Sequence, residues 1–200
     1  MNPLTYVLLF LVFPGFLFSS AMGLLVCWVD RKITARLQWR KGPPWYQNFV
    51  DIMKLFYKET LIPDGASKWI FFAMPIISMV SATLISTILL VTNSSPGSGF
   101  IGDLIVVVYL LIIPSMALML GGFASGNPLA ALGSSREIKL VLAYELPFLL
   151  ALFAVILKTD YAIRFGPIIA WQGAHLPLIA SASGAISFFV MLFSVQAKLG

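Results

Sequence analysis

Long apolar runs alternate with short polar stretches along the whole chain. Leu4 to Val29 carries no Asp, Glu, Lys or Arg, and further apolar stretches follow at about Trp69–Thr92, Leu104–Phe123, Lys139–Leu157 and Leu176–Val195. A helix needs about 20 apolar residues to cross a bilayer, so the pattern predicts five crossings. The expected fold is all-α, a polytopic membrane protein forming one membrane domain over residues 1–200. Pro14-Gly15 is the expected kink of the first crossing, and Pro114 a break in the third that neighbouring helices must cover. The first run does not read as a signal peptide, because no Lys or Arg precedes it and it is too long.

The segment between the first two crossings has its own periodicity. Val29, Ile33 and Leu37 recur every four residues beside a second stripe of Lys32, Arg36 and Arg40. The first helix is therefore expected to run on past the membrane until Gly42-Pro43-Pro44 stops it. Like charges four apart repel by a few tenths of a kcal/mol each, which calls for an acidic partner. Next, Trp45, Phe49, Ile52, Met53 and Phe56 form one face and Gln47, Asn48, Asp51, Lys54 and Lys58 the other, the pattern of an amphipathic helix lying in the interface plane. Binding to anionic lipid and ordinary membrane anchoring compete with a platform for a peripheral protein.

Composition narrows the function classes. The chain is 60% hydrophobic and only 10% charged, with a mean hydropathy of +0.95, which no soluble surface tolerates. One Cys and one His cannot assemble an iron–sulfur cluster, a zinc site or a doubly ligated haem. Cys27 reads as a small hydrophobe and His175 as a loop residue without a role. No phosphate-binding loop, dinucleotide fingerprint or nucleophile elbow is present. Of the 13 basic residues, Arg31, Lys32, Arg36, Arg40, Lys41, Lys54, Lys58, Lys68, Arg136, Lys139 and Lys198 fall on one side of the expected topology, against Lys158 and Arg164 opposite. That bias predicts an N-terminus outside, and residues 30–68 and the C-terminal end in the cytoplasm of a multi-pass cell-membrane protein. The net charge of +5 is then a one-sided basic face that fits lipid or a protein, and not nucleic acid.

The candidate chemistry sits in REIKLVLAYELP, Arg136 to Pro147. Glu145 is the one carboxylate expected inside the membrane, about 13 Å along the helix from Arg136. A charge there costs about 2.5–3.5 kcal/mol, so it should face a wet cavity or a polar partner. Pro147 has no N–H for the Ala143 carbonyl, leaving an acceptor one turn away. Intramembrane acids mark ion routes by default; a neutral Glu145 that only bridges helices is the competing reading. Ser134 and Ser135 are expected to cap a helix starting at Arg136, after a small-residue linker from Gly121 to Ser135. Glu137 would then lie in the first turn and complement the helix dipole. Tyr144 lies on nearly the same face as Glu137, so a relay of Glu137, Tyr144, water and Glu145 is geometrically open. The loops Asn93–Asp103 and Lys158–His175 show no site signature, and no internal repeat is present.

Two stretches, DRKITARLQWRKGPP followed by DIMKLFYKE, and GNPLAALGSSREIKLVLAYELP, resemble the H/ND1-type membrane subunit that respiratory complex I shares with membrane-bound group 4 [NiFe] hydrogenases of the energy-converting and formate hydrogenlyase kind. The likeness runs from about residue 28 to 150. Asp30-Arg31-Lys32, Gly42-Pro43-Pro44 and Arg136-Glu137 are closer to the hydrogenase pattern than to the complex I one. The resemblance implies a non-catalytic subunit that docks the peripheral module and carries part of the proton channel. Arg31, Lys32, Arg36, Arg40, Lys41, Gly42, Pro43, Asp51, Lys54, Lys58 and Glu59 would form the docking surface. Arg136, Glu137, Tyr144 and Glu145 would form the proton pathway. Its partners would be hydrogenase and iron–sulfur subunits, antiporter-like membrane subunits and lipid. The chain would bind no cofactor, with [NiFe] and iron–sulfur clusters on partner subunits. The family pattern has about eight crossings and continues into an acidic loop beyond the equivalent of Gln196 to Gly200, so this chain is expected to be the N-terminal part of a longer subunit or one half of a split one. A quinone-site subunit of complex I, a stand-alone ion or solute transporter and a passive anchor are the alternatives.

Overall fold

The computed structural model describes residues 3–13, 15–95, 97, 99 and 102–199, and among them every regular element is helical. The chain forms two compact units, residues 1–62 and 63–200.

The first unit comprises α1 (Pro3–Leu11), α2 (Phe16–Leu37) and α3 (Gln47–Phe56). Pro14 lies outside the described residues, but the backbone around it stays hydrogen-bonded. The Gly15 N–H reaches the Leu9 carbonyl at 2.9 Å and the Phe18 N–H the Val12 carbonyl at 3.2 Å. These wide turns satisfy groups that lipid cannot solvate. A Cβ on Gly15 would overlap the Phe10 carbonyl, so the break requires glycine.

The first helix does not continue to Gly42. It stops at Leu37, where the Trp39 N–H bonds the Arg36 carbonyl at 3.1 Å and the Arg40 N–H bonds the Ala35 carbonyl at 2.7 Å. This is a Schellman ending with Trp39, φ +57°, in the left-handed position that glycine usually takes. A bulky residue there is strained by about 1–2 kcal/mol. Periodicity alone misses the stop because nothing in the residue types announces it.

The second unit contains α4 (Lys68–Ser94), α5 (Asp103–Ala124), α6 (Pro128–Lys158), α7 (Phe165–Ala174) and α8 (Ala182–Leu199), with one 3₁₀ turn at Leu178–Ala180. Packing runs α4 on α5, α5 on α6 and α6 on α8. The apolar run Val7–Leu37 and the helices α4, α5 and α6 are long and apolar enough to cross a membrane; α8 is a shorter apolar helix. The protein is therefore a polytopic, multi-pass membrane protein. No more than 28% of any of the four long spans is buried within the chain.

The interior of this unit inverts the soluble pattern. In α4, Ser81, Thr83 and Thr92 are buried while Ile76 and Met79 are exposed. Each buried hydroxyl bonds back to its own helix, at 2.8 Å to Ser78, 2.8 Å to Val80 and 2.7 Å to Ile88. Small side chains with satisfied hydroxyls let helices approach closely, while the bulky residues face the surroundings.

The expected linker from Gly121 to Ser135 is almost entirely helical. It contains only a tight turn, Ser125–Asn127, with Gly126 at φ +67°. The Asn127 side chain caps α6 by accepting from the Leu129 N–H at 3.0 Å, and Pro128 fills the first helical position. Ser134 is buried where it meets Gly122, whose missing side chain admits α6.

At the opposite end of these helices, Asp160 and Tyr161 adopt φ of +52° and +59° and turn the chain into α7. Asp103, 0% exposed, ties that end together. Its Oδ1 accepts from the Leu104 N–H at 2.7 Å and from the Phe165 N–H at 3.1 Å, so one carboxylate serves the N-termini of α5 and α7. Both helix dipoles favour a negative charge there. Leu104, Val108 and Ile168 close a small core beside it. Asp103→Ala removes both bonds and is expected to destabilise the protein by about 1–3 kcal/mol, seen as a lower unfolding midpoint in detergent and faster proteolysis near α7. Asp103→Asn keeps the acceptor and should lose distinctly less.

Candidate functional site

The membrane-embedded candidate is built on α6. Because that helix starts at Pro128, Glu137 is in its third turn, and the first turn holds no acid. A helix dipole acts within the first turn, so the dipole role expected for Glu137 does not apply. Glu137 is instead half-buried, one face and two turns from Tyr144. Arg136 beside it is exposed.

Tyr144 is buried, and its hydroxyl hydrogen-bonds the Ser115 hydroxyl of α5 at 3.0 Å. Glu137 and Glu145 both act electrostatically on this phenol. The structure thus gathers Glu137, Tyr144 and Glu145 along one helix. Glu145 is half-buried and makes no hydrogen bond or ion pair among the described residues.

Sequence reasoning missed the third helix of this cluster. Lys198, counted there as a basic residue outside the membrane, donates from α8 to the Leu111 carbonyl of α5 at 2.6 Å. Its ammonium lies 5.6 Å from the centre of the Tyr144 ring and within electrostatic reach of Glu145. Pro114, inside α5, loosens the turn to which Leu111 belongs. The sequence carries no signal for this placement, because the uncharged run before Lys198 begins at Leu176 and is by itself long enough to cross.

Depths agree across the three helices. Ser115 is twelve residues from Asp103 and Tyr144 fourteen from Lys158, about 18 and 21 Å from those ends. Ser115 and Tyr144 therefore sit at comparable heights along α5 and α6. A groove of about 320 Å³ opens beside it between α6 and α8, lined by Ala143, Tyr144, Pro147, Val190, Phe193 and Ser194 among others. Since Pro147 cannot donate to the Ala143 carbonyl, the groove wall includes a residue with a backbone acceptor to spare. Its wall is mostly apolar, with the Tyr144 and Ser194 hydroxyls as its polar side chains, and Glu145 is not part of the lining. The arrangement sets an acid without a hydrogen bond or ion pair among the described residues next in sequence to a buried tyrosine hydroxyl that is bonded to Ser115.

The basic segment in the first unit divides into braces and free charges. Arg31 donates to the buried Asn48 side chain at 3.0 Å and lies 3.7 Å from Asp51. Asn48 also donates to the Leu24 carbonyl at 2.9 Å, and Gln47 to Asp51 at 3.1 Å. Lys32 sits 4.9 Å over the Trp28 ring, while the Trp28 indole donates to the Pro43 carbonyl at 3.1 Å. A Cβ on Gly42 would come within 3.2 Å of the Lys32 Cα, so glycine lets the loop lie flat on α2. Arg31, Lys32, Gly42, Pro43 and Asp51 therefore hold α3 to α2. The first part of the polar face of α3, Gln47, Asn48 and Asp51, turns inward, while Lys54 and Lys58 stay exposed and Phe56 is 81% exposed. Arg36, Arg40, Lys41, Lys54, Lys58 and Glu59 are exposed. Trp39, 97% exposed, projects among them.

Among the described residues no three His, Cys, Asp or Glu side chains gather as a metal site.

Comparison with known proteins places these features in a family. Residues 8–200 match the family model described as NADH dehydrogenase. The chain is 34% identical to the H subunit of NADH-quinone oxidoreductase from Bartonella tribocorum over 168 residues, 77% of this chain and 47% of that protein. It is 35% identical to formate hydrogenlyase subunit 4 of Escherichia coli over 134 residues, 66% of this chain and 43% of that one. It is 33% identical to NADH-ubiquinone oxidoreductase chain 1 of Paracentrotus lividus over 138 residues, 66% of this chain and 42% of that one. The chain spans about half the length of the curated relatives it matches. It belongs to the H/ND1 family of NADH dehydrogenase, the membrane subunits of complex I-like oxidoreductases, which also takes in formate hydrogenlyase subunit 4.

Proposed function

We propose that this chain is the membrane subunit of an energy-converting oxidoreductase of the membrane-bound [NiFe] hydrogenase type, coupling electron transfer in a docked module to ion movement across the membrane. The observation that carries the reading is the polar cluster of Glu137, Tyr144, Glu145, Ser115 and Lys198 deep within an otherwise apolar helix layer. Such groups are expensive in a bilayer and are retained where ions or protons pass. Arg136 and Glu137 form the mouth of the route, Tyr144 and water relay, and Glu145 is the carrier. The electron-transferring [NiFe] and iron–sulfur centres belong to partner subunits, and antiporter-like subunits continue the ion path.

The exposed cations Arg36, Arg40, Lys41, Lys54 and Lys58, with Glu59 and Trp39, meet the redox module on the cytoplasmic side; the first unit's internal braces keep that surface rigid. The N-terminus is then outside, as the distribution of basic residues requires. Likeness to formate hydrogenlyase subunit 4 and the residues Asp30, Pro44 and Glu137 support the hydrogenase type. A second reading draws on the relatives named as quinone and ubiquinone oxidoreductases. In it α3 borders a quinone site. Quinone reduction by the purified complex, without hydrogen formation, would establish that reading in place of the first.

Glu145→Gln keeps the shape and most hydrogen-bonding capacity but removes the titration. In sealed vesicles the ions moved per electron should fall by about 10²-fold or more, the scale on which a positioned acid–base group acts. If Glu145 merely bridges helices, Gln would pump normally while Ala would cost about 1–3 kcal/mol of stability. Glu137→Gln should slow uptake at the mouth. Since Glu137 lies beyond the reach of the helix dipole, its neutralisation should leave the unfolding midpoint nearly unchanged.

Docking is tested by Arg36→Glu together with Arg40→Glu. The variant should insert normally, because neither residue braces α3, yet lose the peripheral subunits on affinity purification at moderate salt. Undiminished co-purification would show that this surface contacts lipid instead.

A further inference from the structure

We infer that Lys198 is the counter-charge of Glu145, a positioning residue that lets the carboxyl ionise within the helix layer without fixing it in a direct salt bridge. This rests on the reading of Glu145 as the carrier, and it adds a residue that reading did not contain.

The geometry supplies the argument. Lys198 on α8 and Glu145 on α6 belong to facing helices at similar depth, and the lysine side chain reaches across the Tyr144 ring, one residue before Glu145. Its ammonium is held by a neutral acceptor, the Leu111 carbonyl. Among the described residues the only carboxylate–cation contact is Arg31 with Asp51, so Lys198 is not consumed by an ion pair. The titratable groups around it are Tyr144 and Glu145 on α6, while α5 contributes the Leu111 carbonyl and the Ser115 hydroxyl bonded to Tyr144. Lys198 is thus the one cation of the cluster among the described residues.

A lone ammonium in an apolar layer is as unfavourable as a lone carboxylate, and opposite charges held near one another reduce both penalties. A direct salt bridge would trap the carboxylate. Anchoring the ammonium on a carbonyl in the turn loosened by Pro114 separates support from capture. During the cycle Glu145 takes up one proton to become a neutral carboxyl and releases the same proton onward. Lys198 keeps all three of its protons, so the pair alternates between net charges of zero and +1.

The test uses membrane vesicles carrying the assembled complex, with Lys198→Met, Lys198→Arg, Glu145→Gln and the double variant Lys198→Met with Glu145→Gln. Lys198→Met should lower both the amount of assembled subunit and the ions moved per electron, each by about fivefold or more, because an uncompensated carboxylate remains. Lys198→Arg, which keeps the charge, should retain most of both. The double variant should assemble nearly as wild type, since both charges have gone, yet translocate no better than Glu145→Gln alone. Assembly of the double variant as poor as that of Lys198→Met would overturn the inference and make Lys198 a cap for the Leu111 carbonyl only. Normal translocation by Lys198→Met, with Glu145→Gln inactive, would also overturn it while leaving the carrier reading standing. Normal translocation by Glu145→Gln alone overturns the carrier reading and, with it, the part given to Lys198.

Discussion

A bilayer gives helices no hydrophobic reason to leave lipid for one another, so what holds the second unit together is close approach and the satisfaction of polar groups. Its organisation follows from that constraint. Buried serines and threonines return their hydroxyls to their own helices, Gly122 admits Ser134, and the bulky side chains of α4 are left to the surroundings. The same rule explains why Tyr144, Ser115, Lys198 and the Leu111 carbonyl meet. A hydroxyl, an ammonium and a carbonyl beside a proline each lack a solvent, and each supplies what another lacks. Glu145 stands out against this background because it is left without such a partner.

The first unit solves the opposite problem. Its α3 has polar residues that would be at home in water, yet Asn48, with Gln47 and Asp51 beside it, is turned toward α2 while Met53 and Phe56 are exposed. Asn48 explains the choice. A side-chain amide that donates to the Leu24 carbonyl and accepts from Arg31 fixes α3 beside the apolar part of α2. The aromatic residues left outside then belong against lipid or a neighbouring subunit, while the basic residues past Leu37 stay in water. Of the eleven residues assigned to docking by resemblance, Arg31, Lys32, Gly42, Pro43 and Asp51 also brace α3 on α2.

The all-helical, polytopic membrane class was legible because length and hydropathy fix it almost alone, whereas the short helices α1 and α7 were not foreseen. Glu145 was conspicuous as an acid in an apolar run, and it lies half-buried without a hydrogen bond or ion pair among the described residues. Helix ends were harder. The start of α6 was written in Asn127-Pro128, a cap followed by proline, but Ser134-Ser135 competed for the same role and the run of small residues looked like a linker. The end of α2 was not written at all, because Trp39 adopts a backbone conformation that its residue type disfavours. Lys198 was misplaced for a different reason. Counting charges by loop assumes that a lysine near a helix end reaches water, whereas the Lys198 side chain turns back to the Leu111 carbonyl of α5. Asp103 looked like the edge of a featureless loop because its second partner, the Phe165 N–H, lies 62 residues away.

That separation bears on how the protein is made. Ribosomes add about 5–20 residues per second, so Asp103 emerges roughly 3–12 s before the backbone group it must receive. In the interval the acid can cap only its own helix. The α7 segment, at 10 residues, is too short to insert by itself, and it finds its place only when the chain folds back onto the waiting carboxylate. Closure of this clamp therefore comes late in synthesis, and until it closes the N-terminus of α7 lacks the carboxylate that receives its Phe165 N–H.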